Sequence, residues 1–545
     1  MLRLLYRKPP RKASPFPAQF FLFFPFPALL HPVPQQKIPH FLPKSTLSSC
    51  YPKQFRLKYR RKLIAAVSVL PRKGSKILHR KEVNLVPLLH FHRHGPADHP
   101  DQRARMLSSP IPPLICTLAV PTIISMLVSS LYNTADTYFV SQIGTSASGA
   151  VGIVFSVMAV IQAVGFTVGM GSGSIASRLL GQNRDREASV YASSAVLMAA
   201  VLGVLLAAVG LANLGPLMWL LGSTGTIYPY ALDYARYILL GAPVMILSFT
   251  LNNLLRWQGK ANLSVFGLAT GGILNIILDP IFIFGLDMGI GGAGAATLLS
   301  QCVSLGILSS FFLLKYSDLQ VSPALVARSP GVYLAILKQG MPSFFRQGVL
   351  SLSTMALNFN ARIYGDAAVA ALAIVTKVFN LIQSVIIGFG QGFQPVLGYN
   401  YGARRLDRVR QAVVFSLKTC TIILTVGAVT GFLLAPQIIA LFRREDLDVI
   451  QIGARAFRFQ CFTLPLGAVL TFANMLFQSL GKSLRASVLA VCRQGLYIPA
   501  VFLLSRCFGL TGLEIAQACV DLIAFFISAA ILLHYFLREF GRETP

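Results

Sequence analysis

The chain has 545 residues, of which 54% are hydrophobic and 12% charged, with a formal net charge of +29; that is about half the charged fraction of an ordinary soluble protein. Charge is divided unevenly, since 21 basic and 3 acidic residues precede Met106, so that stretch carries +18 and the remainder +11. Apolar runs of about 20 residues fill the chain after Met106 and leave no hydrophilic block for a soluble enzyme domain, which points to a membrane protein and away from an enzyme.

Residues 1–105 hold 15 of the 31 prolines, seven of the eight histidines and basic clusters such as Arg56, Lys58, Arg60, Arg61 and Lys62. The run FFLFFPFPALLHPVP is apolar but is broken by Pro25, Pro27, Pro32 and Pro34, which remove amide donors and disfavour a spanning helix. This extension is expected to be disordered or untranslated, with synthesis beginning at Met106; an organellar leader is the alternative reading. Charge alone does not make it a nucleic-acid arm, and the His90, His92, His94 run lacks a folded shell to hold a metal. No nucleic-acid partner is expected.

From Pro113 onward, apolar stretches recur at 113–136, 146–172, 188–212, 232–255, 262–286, 293–315, 336–358, 367–393, 409–433, 453–478, 485–505 and 512–536. Each can cross about 30 Å of hydrocarbon at 1.5 Å per residue. The reading is an all-α integral membrane protein of twelve transmembrane helices, with a first lobe at 106–315, a linker at 316–335, a second lobe at 336–538 and a tail at 539–545. Lys and Arg collect in alternate loops: Arg178, Arg184 and Arg186 after span two, Arg256 and Lys260 after four, Lys315, Arg328 and Lys338 around the linker, Arg404, Arg405, Arg408 and Arg410 after eight, Lys482 and Arg485 after ten. By the positive-inside rule these loops and both termini face the cytoplasm, in a cell (inner) membrane.

The halves repeat. VGFTVGMGSGSIASRLLGQNRDRE (164–187) lies on VIIGFGQGFQPVLGYNYGARRLDR (385–408) at an offset of 221, which also pairs Pro121 with Pro342 and Gly144 with Gly365. Pro243 with Pro465 and Gly259-Lys260 with Gly481-Lys482 need one residue more. Six spans is an even number, so both copies start on the same side. The pseudo-two-fold axis then runs along the membrane normal, with a substrate cavity where the lobes meet. Transport is the leading class; a receptor or scaffold would call for a soluble domain or long tail, and the loops here are short.

Nucleotide hydrolysis finds no support. LGKS (480–483) lacks the first glycine of a phosphate loop, with Leu476 in its place, and its repeat mate QGKA (258–261) marks a structural loop. GMGSG (169–173) ends a span and repeats as GFGQG (388–392), which reads as close helix packing. The eight cysteines are scattered, with no CxxC and no histidine at metal spacing, so no disulfide framework, zinc site or cofactor is expected.

Carboxylates inside spans cost several kcal/mol and are rarely kept without use. Asp136 sits in LYNTADTYFV with Tyr132 and Asn133 on the same helix face, and Asp279 in NIILDPIFIF with Asn275 one turn before it. Asn252, Asn253 and Thr297 add neutral groups that would complete a site for a proton or a sodium ion, the latter at Asp136, Asp279 and Asn275. Structural readings stand beside these: Asp136 near a helix end wetted by the interface, Asp279 occupying amides loosened by Pro280, and the asparagines as helix glue. The second lobe does not duplicate the pair, offering Arg346, Lys377, Lys418 and, as its only deep carboxylate, Asp521; Lys377, Asn380 and Gln383 share a face and would line a pathway.

From about Met106 to Glu543 the chain resembles the multidrug and toxic compound extrusion (MATE) family, through LAVPTIISMLVSSLYNTADTYFV (118–140), SRLLGQNRDRE (177–187), NIILDPIFIFGLDMGIGGAGAAT (275–297) and the repeated glycine-rich end of span eight. The resemblance implies export of amphipathic, often cationic compounds in exchange for protons or sodium through two six-helix lobes that rock about a central cleft; a monomer is the separate expectation for its assembly. It implies an ion site in the first lobe: Asp136 as the acid of span one, Asn275 and Asp279 as the span-five pair, Thr297 as the span-six hydroxyl, Asn252 as the span-four amide, Tyr234 as an aromatic at the cluster, and Pro121 as the bending point of span one. Another branch carries carboxylates on the first and fourth helices of the second lobe, and spans seven and ten have none. A flippase of a lipid-linked saccharide in the same wider superfamily is the alternative function; it would line the cleft with several bases, of which Arg346 and Lys377 are a thin showing.

Overall fold

The computed structural model describes residues 102–442 and 446–540; the basic extension at 1–101 and its histidine run lie outside the described residues. The described residues fold into helices and short connections, with no strand among them. In hydrocarbon every backbone donor and acceptor must be paired within the segment, and the helix does this.

Span one is Ile111–Ser141, span two Thr145–Gly181, span three Asp185–Ala212, span five Ala261–Pro280 with its continuation Ile281–Gly285, and span six Gly289–Leu313. In the second lobe span seven is Pro330–Ala361, span eight Asp366–Gly402 and span nine Leu406–Leu433. Span four consists of Tyr228–Leu240 and Ala242–Trp257, bent by 49° at Gly241. Its repeat mate, span ten, runs Leu447–Thr463, a tight turn at Leu464–Leu466, then Gly467–Ser479. Both breaks fall beside the paired Pro243 and Pro465, whose missing amides fit the first turn of a new helix. Hydropathy does not show these breaks, and the sequence reading draws each span as continuous. Spans eleven and twelve form one run, Ser483–His534, interrupted at Gly509, whose φ of 61° and ψ of −139° leave helical space. Among the described residues this makes twelve spans. Nine helices pass on length and apolarity and the bent pair adds a tenth; dividing the Ser483–His534 run and adding the more polar span seven completes them.

The repeat seen in sequence holds in the backbone. Asn183 and Arg404, 221 apart, both take positive φ (64° and 57°), and Gly259 and Gly481 turn the chain after spans four and ten with φ of 80° and 84°. The contacts between lobes are reciprocal: a Cβ on Gly181 would lie 2.3 Å from Tyr399 O, and one on Gly402, the mate of Gly181, 2.1 Å from Arg178 O. Gly171 likewise packs on Ile336 O and Gly340, while its mate Gly392 packs on Ala119. Small residues thus let the four helices nearest the axis meet backbone to backbone. These contacts lie on the half of the bundle that carries the basic loops and reach as far as Ser130–Ser384 (2.9 Å) and Gln347–Gln162 (2.8 Å).

At that same end the short helix Gln102–Ser108 plugs the junction, beginning four residues before the expected boundary at Met106. Met106 is fully buried, its carbonyl accepts from Asn400 Nδ2 at 3.1 Å, and Arg408 Nη2 donates to Ser109 O at 2.6 Å. Between the lobes the linker is strapped along span three: the amides of Gln320, Ser322 and Ala327 donate to Ser189, Ser193 and Ser194 at 3.1, 3.1 and 2.9 Å. Span seven then begins at Pro330, six residues before the apolar run at 336.

Candidate functional site: a buried carboxylate pair in the first lobe

Span one places Asp136 about seven turns beyond its first residue, still buried (8% exposed), and span five places Asp279 at 0% exposure directly before Pro280. The missing amide of Pro280 is followed by Ile281–Gly285 in wide-turn geometry, the kind of irregularity that often accompanies a functional site. Tyr234 of span four donates its hydroxyl to Asp136 Oδ2 at 3.1 Å. Asn275 Nδ2 donates to Asp279 Oδ1 at 2.9 Å and to Thr297 Oγ1 of span six at 3.3 Å. Four spans therefore converge on one cluster: Gly294, one turn before Thr297, packs on Tyr234 O, and Gly272, one turn before Asn275, packs on Tyr132, one turn before Asp136.

Neither carboxylate meets a basic side chain among the described residues. Three buried oxygens, Asp136 Oδ1, Asn275 Oδ1 and Asp279 Oδ2, have no hydrogen-bond partner. A buried acceptor left without a partner costs about 1–3 kcal/mol, and more when charged. Two adjacent carboxylates in a low-dielectric site cannot both be ionised without a cation, so the arrangement asks for positive charge. The oxygens on offer are hard ones, from carboxylate, amide and hydroxyl, which suit a proton or sodium and not a soft metal. Among the described residues no group of three His, Cys, Asp or Glu side chains is placed to hold a metal ion.

The remaining residues singled out from the sequence fall elsewhere. Asn252 donates to Ser264 O at 2.8 Å, tying span four to span five near the basic loops, and its repeat mate Asn474 donates to Ala486 O at 2.6 Å. Asn252 is thus half of a duplicated helix clamp, away from the acids. Asn253 donates to Phe249 O and accepts from Arg256. Pro121 lies in the contact of spans one and eight, where Thr122 Oγ1 donates to Gly388 O at 2.6 Å. Lys377 is exposed on span eight. Gln383, with its amide oxygen turned inward, accepts from Arg493 Nη2 at 2.8 Å.

Arg493 also pairs with Asp521 at 3.0 Å, and Gln517 donates to the same carboxylate at 3.0 Å, so the second lobe's acid is neutralised where the first lobe's acids are not. Asp521 is not the only deep carboxylate there: Glu514 is 1% exposed, with Arg455 Nε 2.8 Å from its Oε2. Sequence reasoning passes over Glu514 because it lies at the start of a span, where wetting is the default expectation. It also misses Arg493, Ser300 and Gln301; the latter two are buried polar residues one turn beyond Thr297, and Ser300 Oγ and Gln301 Oε1 have no partner.

The MatE family model matches residues 121–281 and 342–503, one copy for each lobe. The chain belongs to the MatE family. It is 28% identical over 423 residues to the multidrug export protein MepA of Staphylococcus saprophyticus, covering 77% of this chain and 93% of that protein. It is 27% identical over 426 residues to the FAD transporter of Shewanella oneidensis, covering 77% and 94%. Among solved structures, a transporter of the MOP superfamily from Pyrococcus furiosus, described as having a binding pocket of reverse polarity that suggests a different function, superposes with a TM-score of 0.74 at 27% identity, covering 78% of this chain and 96% of that one. This MatE-family member is accordingly a multi-pass membrane transporter with the two-lobed fold.

Proposed function

We propose that this MatE-family transporter is a secondary antiporter that exports amphipathic compounds, cationic ones among them, in exchange for protons or sodium ions loaded at Asp136, Asp279, Asn275 and Thr297. The observation that carries the proposal is the buried, charge-uncompensated carboxylate pair with three unpartnered oxygens. The multidrug export protein MepA supports the substrate class, and the alternate basic loops support cytoplasmic termini in the cell membrane.

In this reading the lobes are shut on the cytoplasmic side by the Gly181–Tyr399 and Gly402–Arg178 contacts, and the acids face the outward half of the bundle. A proton or sodium ion entering from outside neutralises the single negative charge that the Asp136–Asp279 pair carries when one of the two is already protonated, and releases the exported compound. Span one is free to bend at Pro121, where the ring removes one backbone bond, and the inward-facing state follows. One proton crossing about 100 mV yields about 2.3 kcal/mol, and each pH unit about 1.4 kcal/mol. A univalent cation exchanged for one proton moves no net charge, so the pH gradient alone drives it, roughly tenfold accumulation per unit.

The test is ethidium efflux from energised cells or inverted vesicles, for the wild type and for Asp136→Asn, with the proton and sodium gradients collapsed separately. The expected result is loss of efflux on collapse of one gradient and in the variant, with membrane insertion intact. Full efflux by inserted Asp136→Asn protein would refute the ion-carrier role.

A further inference from the structure

Arg256, at the end of span four, is 2% exposed, yet its guanidinium meets no carboxylate. Its Nη2 donates to Asn253 Oδ1 and touches Met170 Sδ of span two, while Nε and Nη1 are buried without any partner. Arg346 of span seven, a cation of the opposite lobe, directly precedes Gln347, whose Nε2 donates to Gln162 Oε1 of span two at 2.8 Å, about two turns from Met170. Arg346 is partly exposed and has no ion pair or hydrogen bond among the described residues. Two cations from two lobes therefore lie along the same stretch of span two, neither paired with a carboxylate among the described residues, which is disfavoured in a low-dielectric site unless an anion joins them.

The repeat sharpens this. Position 256 corresponds to 478, where the second copy holds Gln478, and the amide of Gln478 is fully engaged: Nε2 donates to Ser343 Oγ at 2.9 Å and Oε1 accepts from Gln394 at 3.3 Å. Position 346 corresponds to Ser125. The fold thus has a neutral solution for both places and uses it in the other copy, so neither arginine is required by the architecture. Phe166, one turn from Met170 on span two, and Phe249, two turns from Arg256 on span four, stack at 5.3 Å between ring centres and offer an apolar surface along the same two helices. The acid cluster is distant, since Tyr234 and Arg256 are separated by roughly 20 residues of helix, about 30 Å along its axis, and by the 49° bend.

We infer that Arg256 and Arg346 form a second subsite, one that takes the anionic group (carboxylate, sulfonate or phosphate) of a transported amphipathic compound whose apolar body lies against Phe166 and Phe249. The occupant being cargo rests on the transporter reading above; the anion site itself does not. Arg–oxyanion pairing would use the two unpartnered nitrogens of Arg256 and the guanidinium of Arg346. The transporter would then accept zwitterions and anions as well as cations, discriminating by which end of the molecule is charged.

The chain has two tryptophans, and one of them, Trp257, is buried against Gly173 directly beside Arg256. With Trp219→Phe, the remaining indole reports on this subsite alone. The full chain in neutral phosphatidylcholine nanodiscs is titrated with dansylglycine, its methyl ester and dansylcholine, which share one apolar body and differ in end charge, reading energy transfer from Trp257. We expect dansylglycine to bind at least tenfold more tightly than its ester, and Arg256→Gln and Arg346→Ser, each the residue of the other copy, to weaken it at least tenfold. Equal binding of acid and ester, or wild-type affinity in both variants, would overturn the proposal; if Arg256→Gln fails to fold, Arg346→Ser carries the test. Discs containing anionic lipid separate cargo from headgroup: dansylglycine displaced by that lipid, and not moved across proteoliposomes, overturns the assignment to cargo. Dansylglycine binding retained in a protein whose ethidium efflux ignores both ion gradients supports the subsite while sinking the coupling proposal.

Discussion

The glycines at the lobe interface set how completely the basic-loop side can close, and Gly340→Ala tests this. A Cβ at Gly340 would sit 2.0 Å from Thr167 O, against about 3.4 Å for ordinary contact, so spans two and seven must separate by about 1.4 Å or one of them must shift. The clash is with backbone, so no rotamer relieves it. Overpacking of this kind costs about 1–3 kcal/mol, and it is borne only by the state in which the two helices touch. Since about 1.4 kcal/mol is tenfold in an equilibrium, the closed state should lose roughly ten- to hundredfold in population relative to the state with that side open. Spin labels at Arg186 and Arg410, exposed on the two lobes at this end, would report it by electron–electron distance measurement in a background freed of native cysteines. The expected outcome is a longer distance and ethidium efflux at least tenfold slower, at unchanged membrane abundance. An unchanged distance distribution with wild-type efflux would refute the view that these contacts belong to one state of the cycle.

Other expectations follow from the same geometry. Tyr234→Phe removes one hydrogen bond to Asp136, worth about 1 kcal/mol, and should slow efflux by less than tenfold where Asp136→Asn abolishes it. Asn252→Ala and Asn474→Ala, breaking the duplicated clamp, should each lower stability in detergent by about 1 kcal/mol and leave the ion dependence of residual efflux unchanged, as thermal melts and the gradient assay would show. Arg493→Gln leaves Asp521 buried and unpaired and should cost about 3–5 kcal/mol, while the double variant with Asp521→Asn recovers much of that loss; a double variant no more stable than the single one would mean the pair contributes nothing.

The parts of this molecule set by composition and repetition were legible in the chain. The twelve spans follow from apolar runs, the lobes from the 221-residue offset, and the acid cluster from Asp136 and Asp279, because a carboxylate in hydrocarbon stands out against its surroundings. What escaped depends on direction in three dimensions. Asn252 and Asn253 are neighbours in sequence but point to different helices, one to Ser264 and the other to its own helix and Arg256, and no periodicity distinguishes clamp from cleft. Arg256 reads from sequence as one more base at a loop; only its burial, against Met170 of span two, separates it from Lys260, which reaches Asp318 at 2.5 Å. The bends at Gly241 and Leu464–Leu466 were hidden because Pro243 and Pro465 sit where a helix can begin as readily as it can kink.

The strap of Gln320, Ser322 and Ala327 on span three has a mechanical consequence. Pinned there, the connection belongs to the first lobe almost to its end, and the covalent passage to the second lobe is made between Ala327 and Pro330, about 10 Å of extended chain. The two halves are therefore tethered on a short leash at one edge of the bundle. They can splay and tilt about that corner but cannot drift apart, so the covalent link itself limits alternation to a rocking movement with its pivot beside the basic loops.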